Sequence, residues 1–168
     1  MAELRALTLH PEWAWAICYL GKRIENRSWR RESLRGKTLA IHGGRLIGGD
    51  SDQTLWRCDV QLMLQHARTR CGCQADLGVG PISVKRILDE GRGIVALARV
   101  ADFVTASQSG WFVGPIGWVL EDVRVLCEPV PCAGAQGVWT VPCDVAARAP
   151  AAVVRGCLAG RPAPGGAF

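Results

Sequence analysis

No apolar run in the sequence approaches the roughly 18 residues that a membrane-spanning helix needs, so a helical membrane protein is excluded and no membrane partner is expected. No two cysteines have the C-x-x-C spacing of a zinc ribbon. Cys71-Gly-Cys73 is the only tight pair, and Cys127 and Cys132 flank a Glu-Pro-Val-Pro stretch that reads as a turn. No metal and no other cofactor is therefore expected. The phosphate loop G-x-x-x-x-G-K-[ST] is missing, and no G-x-G-x-x-G follows a strand, so the Gly-rich "GGRLIGG" does not read as a triphosphate site of those types. Residues 1–10 lack a positive segment followed by an apolar one, so no signal peptide is expected. There is no internal repeat and only one Tyr, although Trp numbers seven. The eight cysteines then fit a cytoplasmic chain that keeps its thiols reduced.

What the chain does have suits one ordinary domain. Its 168 residues are 49% hydrophobic and 21% charged, and a chain of this size buries about 70% of its unfolded surface. The net charge of +5 is mildly basic. It tolerates an anionic partner without demanding one.

Residues 4–9 alternate loosely and read as a strand. Pro11 opens a helix to Leu20, where a missing N–H costs nothing, and Gly21 suits its left-handed cap. Trp13, Ala16, Ile17 and Leu20 fall on one core-facing stripe. Strands are predicted at 23–29 and 36–44, and helices at 52–70 and 82–91. Residues 45–92 read as a peripheral helical insertion, without apolar content for a core of its own. Strands follow at 93–104, 117–126 and 137–142, the second with Val119, Glu121, Val123 and Val125 on one face. A helix at 144–159 precedes a tail, 161–168, whose composition predicts disorder. The order predicts an α+β fold, a small mixed β-barrel of five to six strands flanked by helices, as one domain over 1–160.

The stretch "LGKRIENRSW", 20–29, packs Lys22, Arg23, Glu25, Asn26 and Arg27 together. Taken alone it suits a surface ion-pair turn, worth about 1 kcal/mol or less per pair. Lys22 precedes the strand yet reaches the Glu25 side, and a Lys in a semi-enclosed cleft can act as a base. "RSWRRESLRGK", 27–37, carries Arg27, Arg30, Arg31, Arg35 and Lys37, either a solvated hairpin or a patch that tracks a nucleic-acid backbone. His42 ends an apolar strand before two glycines. Trp29 and Trp111 border charged or Gly-rich loops and could stack on a base. "GWFVGPIGW", 110–118, with Gly114 and Trp118, reads as a cleft wall or a packed hairpin turn. Trp13 and Trp139 read as core, and His10 and His66 as structural or surface.

"LTLHPEWAWAICYLGKRIENRSWR…GKTLAIHGG" resembles the start of an ASCH domain, a PUA-like β-barrel. The family pattern G-x-K-x-x-E-x-R is matched at Lys22, Glu25 and Arg27, with the Gly displaced to Gly21. "PEWAW" stands where the family has QPWAW, with Glu12 in place of the usual Pro. "GIVALARVADFV", "WFVGPIGWVLEDVRVL" and "AQGVWTVP" resemble the later strands, mostly outside 45–92.

The resemblance implies an RNA- or nucleotide-binding barrel with a cleft. Some members look like ribonucleases, and some small ones like amidohydrolases on modified nucleosides, with the motif Lys central. As a binding module, the protein would take single-stranded RNA or a modified nucleoside. Lys22 and Arg27 would meet phosphate or a base edge, Glu25 would accept from an amine or orient Lys22, and Trp29, Trp111 or Trp118 would stack, with Asn26, Arg30 and Arg31 beside them. As a hydrolase, Lys22 would be the general base and Glu25 a proton relay, and backbone N–H groups near His42 or Gly114 would hold an oxyanion. As a protein-interaction domain, it would work through the insertion and the tail. The cleft is expected to gather Lys22, Glu25, Arg27 and His42 on one wall and residues 114–118 on the other.

Overall fold

The computed structural model describes residues 3–45, 61–66 and 84–151. Its elements are β1 (Arg5–Leu9), α1 (Pro11–Tyr19), β2 (Ile24–Arg27), a single 3-10 turn (Glu32–Leu34), β3 (Thr38–Gly43), a helical segment α2 at 61–66, α3 (Val84–Gly91), β4 (Gly93–Val104), β5 (Ile116–Val130), β6 (Val138–Thr140) and α4 (Cys143–Ala151). The predicted helix at 52–70 is described only at 61–66. The last residues of the 144–159 helix, and the tail, lie outside the described residues. No helix among those described is long and apolar enough to cross a membrane.

The fold is α+β, with six strands in the order β2-β5-β4-β3-β1-β6. β1 and β3 run parallel and the other pairs antiparallel, so the sheet is mixed. In a flat sheet β2 and β1 would lie about 19 Å apart, four strand spacings. Yet Arg27 Nη2 of β2 donates to the Thr8 carbonyl of β1 at 2.9 Å. The sheet must therefore curl into a partial barrel. Among the described residues no backbone ladder joins β2 to β1, so a side chain, not a strand pair, spans the gap between them.

Both faces of the sheet are covered. Leu7, Leu9, Leu39, Ile41, Val100, Trp118 and Leu120 pack with Ala14 and Ile17 of α1. Ala6, Ala40, Ile94, Leu97, Leu126 and Val130 pack on the other face with Val145 and Ala149 of α4. Neighbouring residues such as Leu39 and Ala40 thus serve opposite faces, as a strand's period of two requires.

β5 is longer than the predicted 117–126, and its alternation is broken. Asp122 has φ 49°, and the pairing with β4 slips there, between Leu97 and Arg99, which face Arg124 and Glu121. A bulge of this kind adds one residue and turns the following side chains over. Trp118 and Leu120 therefore share a core with the odd-numbered Val123, while Leu126 moves to the α4 face. The strand then continues through Pro129 to Val130, which pairs with Ile94, so the turn expected between Cys127 and Cys132 begins only after Val130.

The described parts of 45–92 are not peripheral. Met63 of α2 and Ile87 of α3 are fully buried in a third cluster with Trp15, Ala16, Leu20, Ile24 and Trp111. Two short helices without a core of their own complete one with α1.

Candidate functional site

The site begins where α1 ends. Gly21 has φ 67°, the left-handed cap position, and both Leu20 N and Lys22 N donate back to the Ala16 carbonyl. Arg23 Nη1 donates to the carbonyls of Ile17 at 2.8 Å and Lys22 at 3.1 Å. A cation on the last carbonyls of a helix suits its negative end. This cap aims the Lys22 side chain inward. Its Nζ donates to Glu25 Oε2 at 2.6 Å and to the Ile24 carbonyl at 2.5 Å, and lies 5.8 Å from the Trp13 ring centre. The other carboxylate oxygen, Glu25 Oε1, is 3.2 Å from Arg27 Nε.

Lys22 is 2% exposed and Glu25 8%. The alternative of a surface ion-pair turn therefore does not hold for this pair. Its members have lost their water, and each depends on the other.

Lys22 and Glu25 line a cavity of about 630 Å³ with Trp13, Asn26, Leu62, Gln65, His66, Trp111 and Val113. One wall comes from α2 and another from the loop joining β4 to β5. Asn26 holds that loop with both ends of its amide. Nδ2 donates to the Trp111 carbonyl and Oδ1 accepts from Val113 N, each at 2.9 Å. His66 Nε2 donates to the Gly110 carbonyl, and its ring lies 5.3 Å from Trp111. Leu62 and Val113 stand 62% and 64% exposed, apolar on both sides of a polar floor.

Arg27 and His42 line a second, larger groove of about 1430 Å³, with Thr8, Arg45, Arg92, Glu128 and the loop 131–137. His42 is therefore not a wall of the Lys22 cavity. Its Nε2 is 3.2 Å from the Cys132 carbonyl, which can only accept, so Nε2 carries the proton. Nδ1 then accepts from Thr8 Oγ1 at 3.3 Å, and that oxygen accepts from Trp139 Nε1 at 2.9 Å. Burial pushes the His42 pKa down, and the Cys132 carbonyl opposes this only in part. A Cβ on Gly134 would meet His42 Cε1 at 2.4 Å, so the loop lies directly on the ring. This is a neutral, fully used histidine tying β1 and β3 to that loop.

The remaining predicted residues divide as follows. Trp118 is fully buried and cannot stack on a ligand. It packs edge-on against Trp29 at 4.9 Å and donates its Nε1 to the Trp29 carbonyl. Trp29 is half-buried and Gly114 has φ 73°; neither they nor Trp118 line either cavity. Arg30 and Arg31 are exposed, and Arg30 pairs with Glu32, which also holds Arg35. The patch is thus interleaved with acid.

Sequence reasoning missed Trp13, Leu62, Gln65 and His66 as site residues, while Val113 falls in the 110–118 stretch read as a cleft wall. Only Trp13 carried a signal, since the stripe that placed it in the core also put it one face from the helix cap that delivers Lys22. Among the described residues no three His, Cys, Asp or Glu side chains gather as a metal would require, and Cys18, Cys127, Cys132 and Cys143 form no disulfide. Cys71 and Cys73 lie outside the described residues. No family model matches the chain, and no curated protein matches it.

Proposed function

We propose that this protein is a PUA-like binding module that takes one planar base, as a modified nucleoside or a nucleotide of single-stranded RNA, in the Lys22 cavity. The observation that carries this is the buried Lys22–Glu25 pair in a cavity of about 630 Å³ shared with Trp13 and Trp111. That volume suits a nucleoside-sized ligand, and such sites set a few polar groups among apolar walls. Trp13 offers the stacking face. Nζ of Lys22 has one position left after its two hydrogen bonds, and with Glu25 it presents a donor beside an acceptor, the pattern a base edge requires. The ASCH resemblance supports the reading through the same Lys22, Glu25 and Arg27.

The 2.6 Å Lys22–Glu25 contact also favours a second reading, hydrolysis of an amide on a nucleoside or of a phosphodiester, with Lys22 as base and Glu25 as relay. The test is calorimetric titration with canonical and modified nucleosides, with product analysis by mass spectrometry. Binding should weaken about 5- to 150-fold in Trp13→Leu, the range of one lost base–aromatic stack. Absence of binding at millimolar nucleoside, or an unchanged Kd in Trp13→Leu, would overturn the proposal. Product formation that stops in Lys22→Met would replace the binding reading with the hydrolase.

A further inference from the structure

Residues 110–113 wall the Lys22 cavity without belonging to a strand or a helix. Backbone polar groups still need partners, and here side chains supply most of them. Trp111 N and Phe112 N close onto Ser109, the first on its Oγ at 3.2 Å and the second on its carbonyl at 3.0 Å. The Gly110 carbonyl accepts from His66. The Trp111 carbonyl and Val113 N both go to Asn26, each at 2.9 Å. Val113 is 64% exposed, so Asn26 holds in the open a segment that no sheet neighbour holds.

A second contact fixes the wall at the same place. Gly117 of β5 stands opposite Asn26 of β2, and a Cβ on Gly117 would meet the Phe112 ring at 2.9 Å. The missing side chain of Gly117 is thus the notch in which Phe112 lies, between the two residues that Asn26 holds. Asn26 is also the chain neighbour of Glu25. Floor and wall are therefore joined through one residue. Both ends of its amide are engaged by backbone, and what the wall adds to the cavity lining is Trp111 and Val113. Such a wall reads the outline of a ligand more than its hydrogen bonds.

We propose that Asn26 is the positioning residue that sets the width of the Lys22 cavity and, through it, the size of base the cavity accepts. The proposal rests on the function proposed above and deepens it. Lys22 and Glu25 meet the base edge, and the wall held by Asn26 selects between one-ring and two-ring bases by fit. A wall fixed before the ligand arrives also leaves less to order on binding.

The experiment measures Kd of the full chain for cytidine, uridine, adenosine and guanosine, in wild type, Asn26→Ala and Gly117→Ala, with amide exchange of the ligand-free proteins alongside. Wild type should prefer one ring size. Asn26→Ala should weaken binding of the preferred nucleosides about 3- to 10-fold, the worth of one ordinary hydrogen bond, and the purine-to-pyrimidine ratio of affinities should move toward one. Global destabilisation would lower all the affinities together and leave that ratio unchanged. The Val113 amide should exchange several-fold faster in Asn26→Ala. Gly117 lines neither cavity, so Gly117→Ala should shift the ratio the same way only by displacing Phe112. An unchanged ratio in Asn26→Ala, or equal binding of all the nucleosides by wild type, overturns the selectivity while the base site stands. A ratio that moves in Asn26→Ala but not in Gly117→Ala, with Val113 exchange unchanged, would make Asn26 a direct ligand contact and overturn its positioning role. An Asn26→Ala chain that does not fold would assign Asn26 to the core and overturn it as well. If no nucleoside binds any of these proteins, the base reading falls and the selectivity falls with it.

Discussion

The Lys22–Glu25 pair and the Arg30–Glu32–Arg35 chain stand on either side of Trp29, built from the same kinds of residue. Their surroundings differ. The side chains of Lys22 and Glu25 are 3% and 10% exposed, whereas those of Arg30, Glu32 and Arg35 are 55%, 54% and 43% exposed. In water an ion pair exchanges one set of good partners for another and gains little. Without water each charge has only its protein partners, and removing one strands the other. Charges of similar spacing can thus form a site in one place and a solvated loop a few residues on, and only burial separates them.

The sharpest way to break this comparison is to remove half of the buried pair. Glu25→Ala should cost about 3–5 kcal/mol, because it leaves the Lys22 ammonium buried against the Ile24 carbonyl alone. The double variant Lys22→Met/Glu25→Leu should recover most of that loss. Urea unfolding of the three proteins checks both statements. A cost below about 1 kcal/mol for Glu25→Ala would place this pair in the same class as Arg30–Glu32.

His42 sharpens the comparison, because it is buried without an ionic partner and solves the problem by staying neutral. Its pKa is lowered in the folded protein, so below the unfolded value of about 6.5 the unfolded chain binds a proton that the folded one does not. The unfolded state then holds more protons, and stability must rise with pH up to about 6.5 and level off above it. It should fall as the pH is lowered from there, more steeply in wild type than in His42→Gln, which cannot protonate. Parallel stability–pH curves for the two proteins would show that His42 is not desolvated as described.

The smallest effect belongs to the exposed chain. Arg30→Ala should change stability by about 0–1 kcal/mol, and the change should vanish in high salt, where exposed charges are screened. A larger, salt-resistant loss in a thermal melt would mean that this loop is as dry as the Lys22 cavity.

Much of the fold was legible. The strand order along the chain, the Pro11 start and Gly21 stop of α1, and the joining of Lys22 to Glu25 all follow from local rules of capping and alternation. The run of β5 was not, because alternation is readable only while register holds, and Asp122 breaks it. The cavity's far wall was not legible either. Leu62, Gln65 and His66 reach it through the burial of Met63 against α1, a long-range contact that leaves no periodic mark on its neighbours. Trp29 and Trp118 misled for a related reason. A Trp beside glycines looks available for stacking, yet here Trp118 sits edge-on between Trp29 and Phe103 and fills the core.

Arg27 has one more consequence, in how the molecule behaves among its own copies. β6 pairs only with Arg5–Leu7 of β1, so β1 outruns its partner by two residues. A strand that outlasts its neighbour offers its carbonyls as a template to any passing chain. The first carbonyl beyond that point, Thr8, is occupied by Arg27, and a charged guanidinium is a poor surface on which to add another strand. The group that spans the gap in the sheet therefore also guards it against edge-to-edge growth.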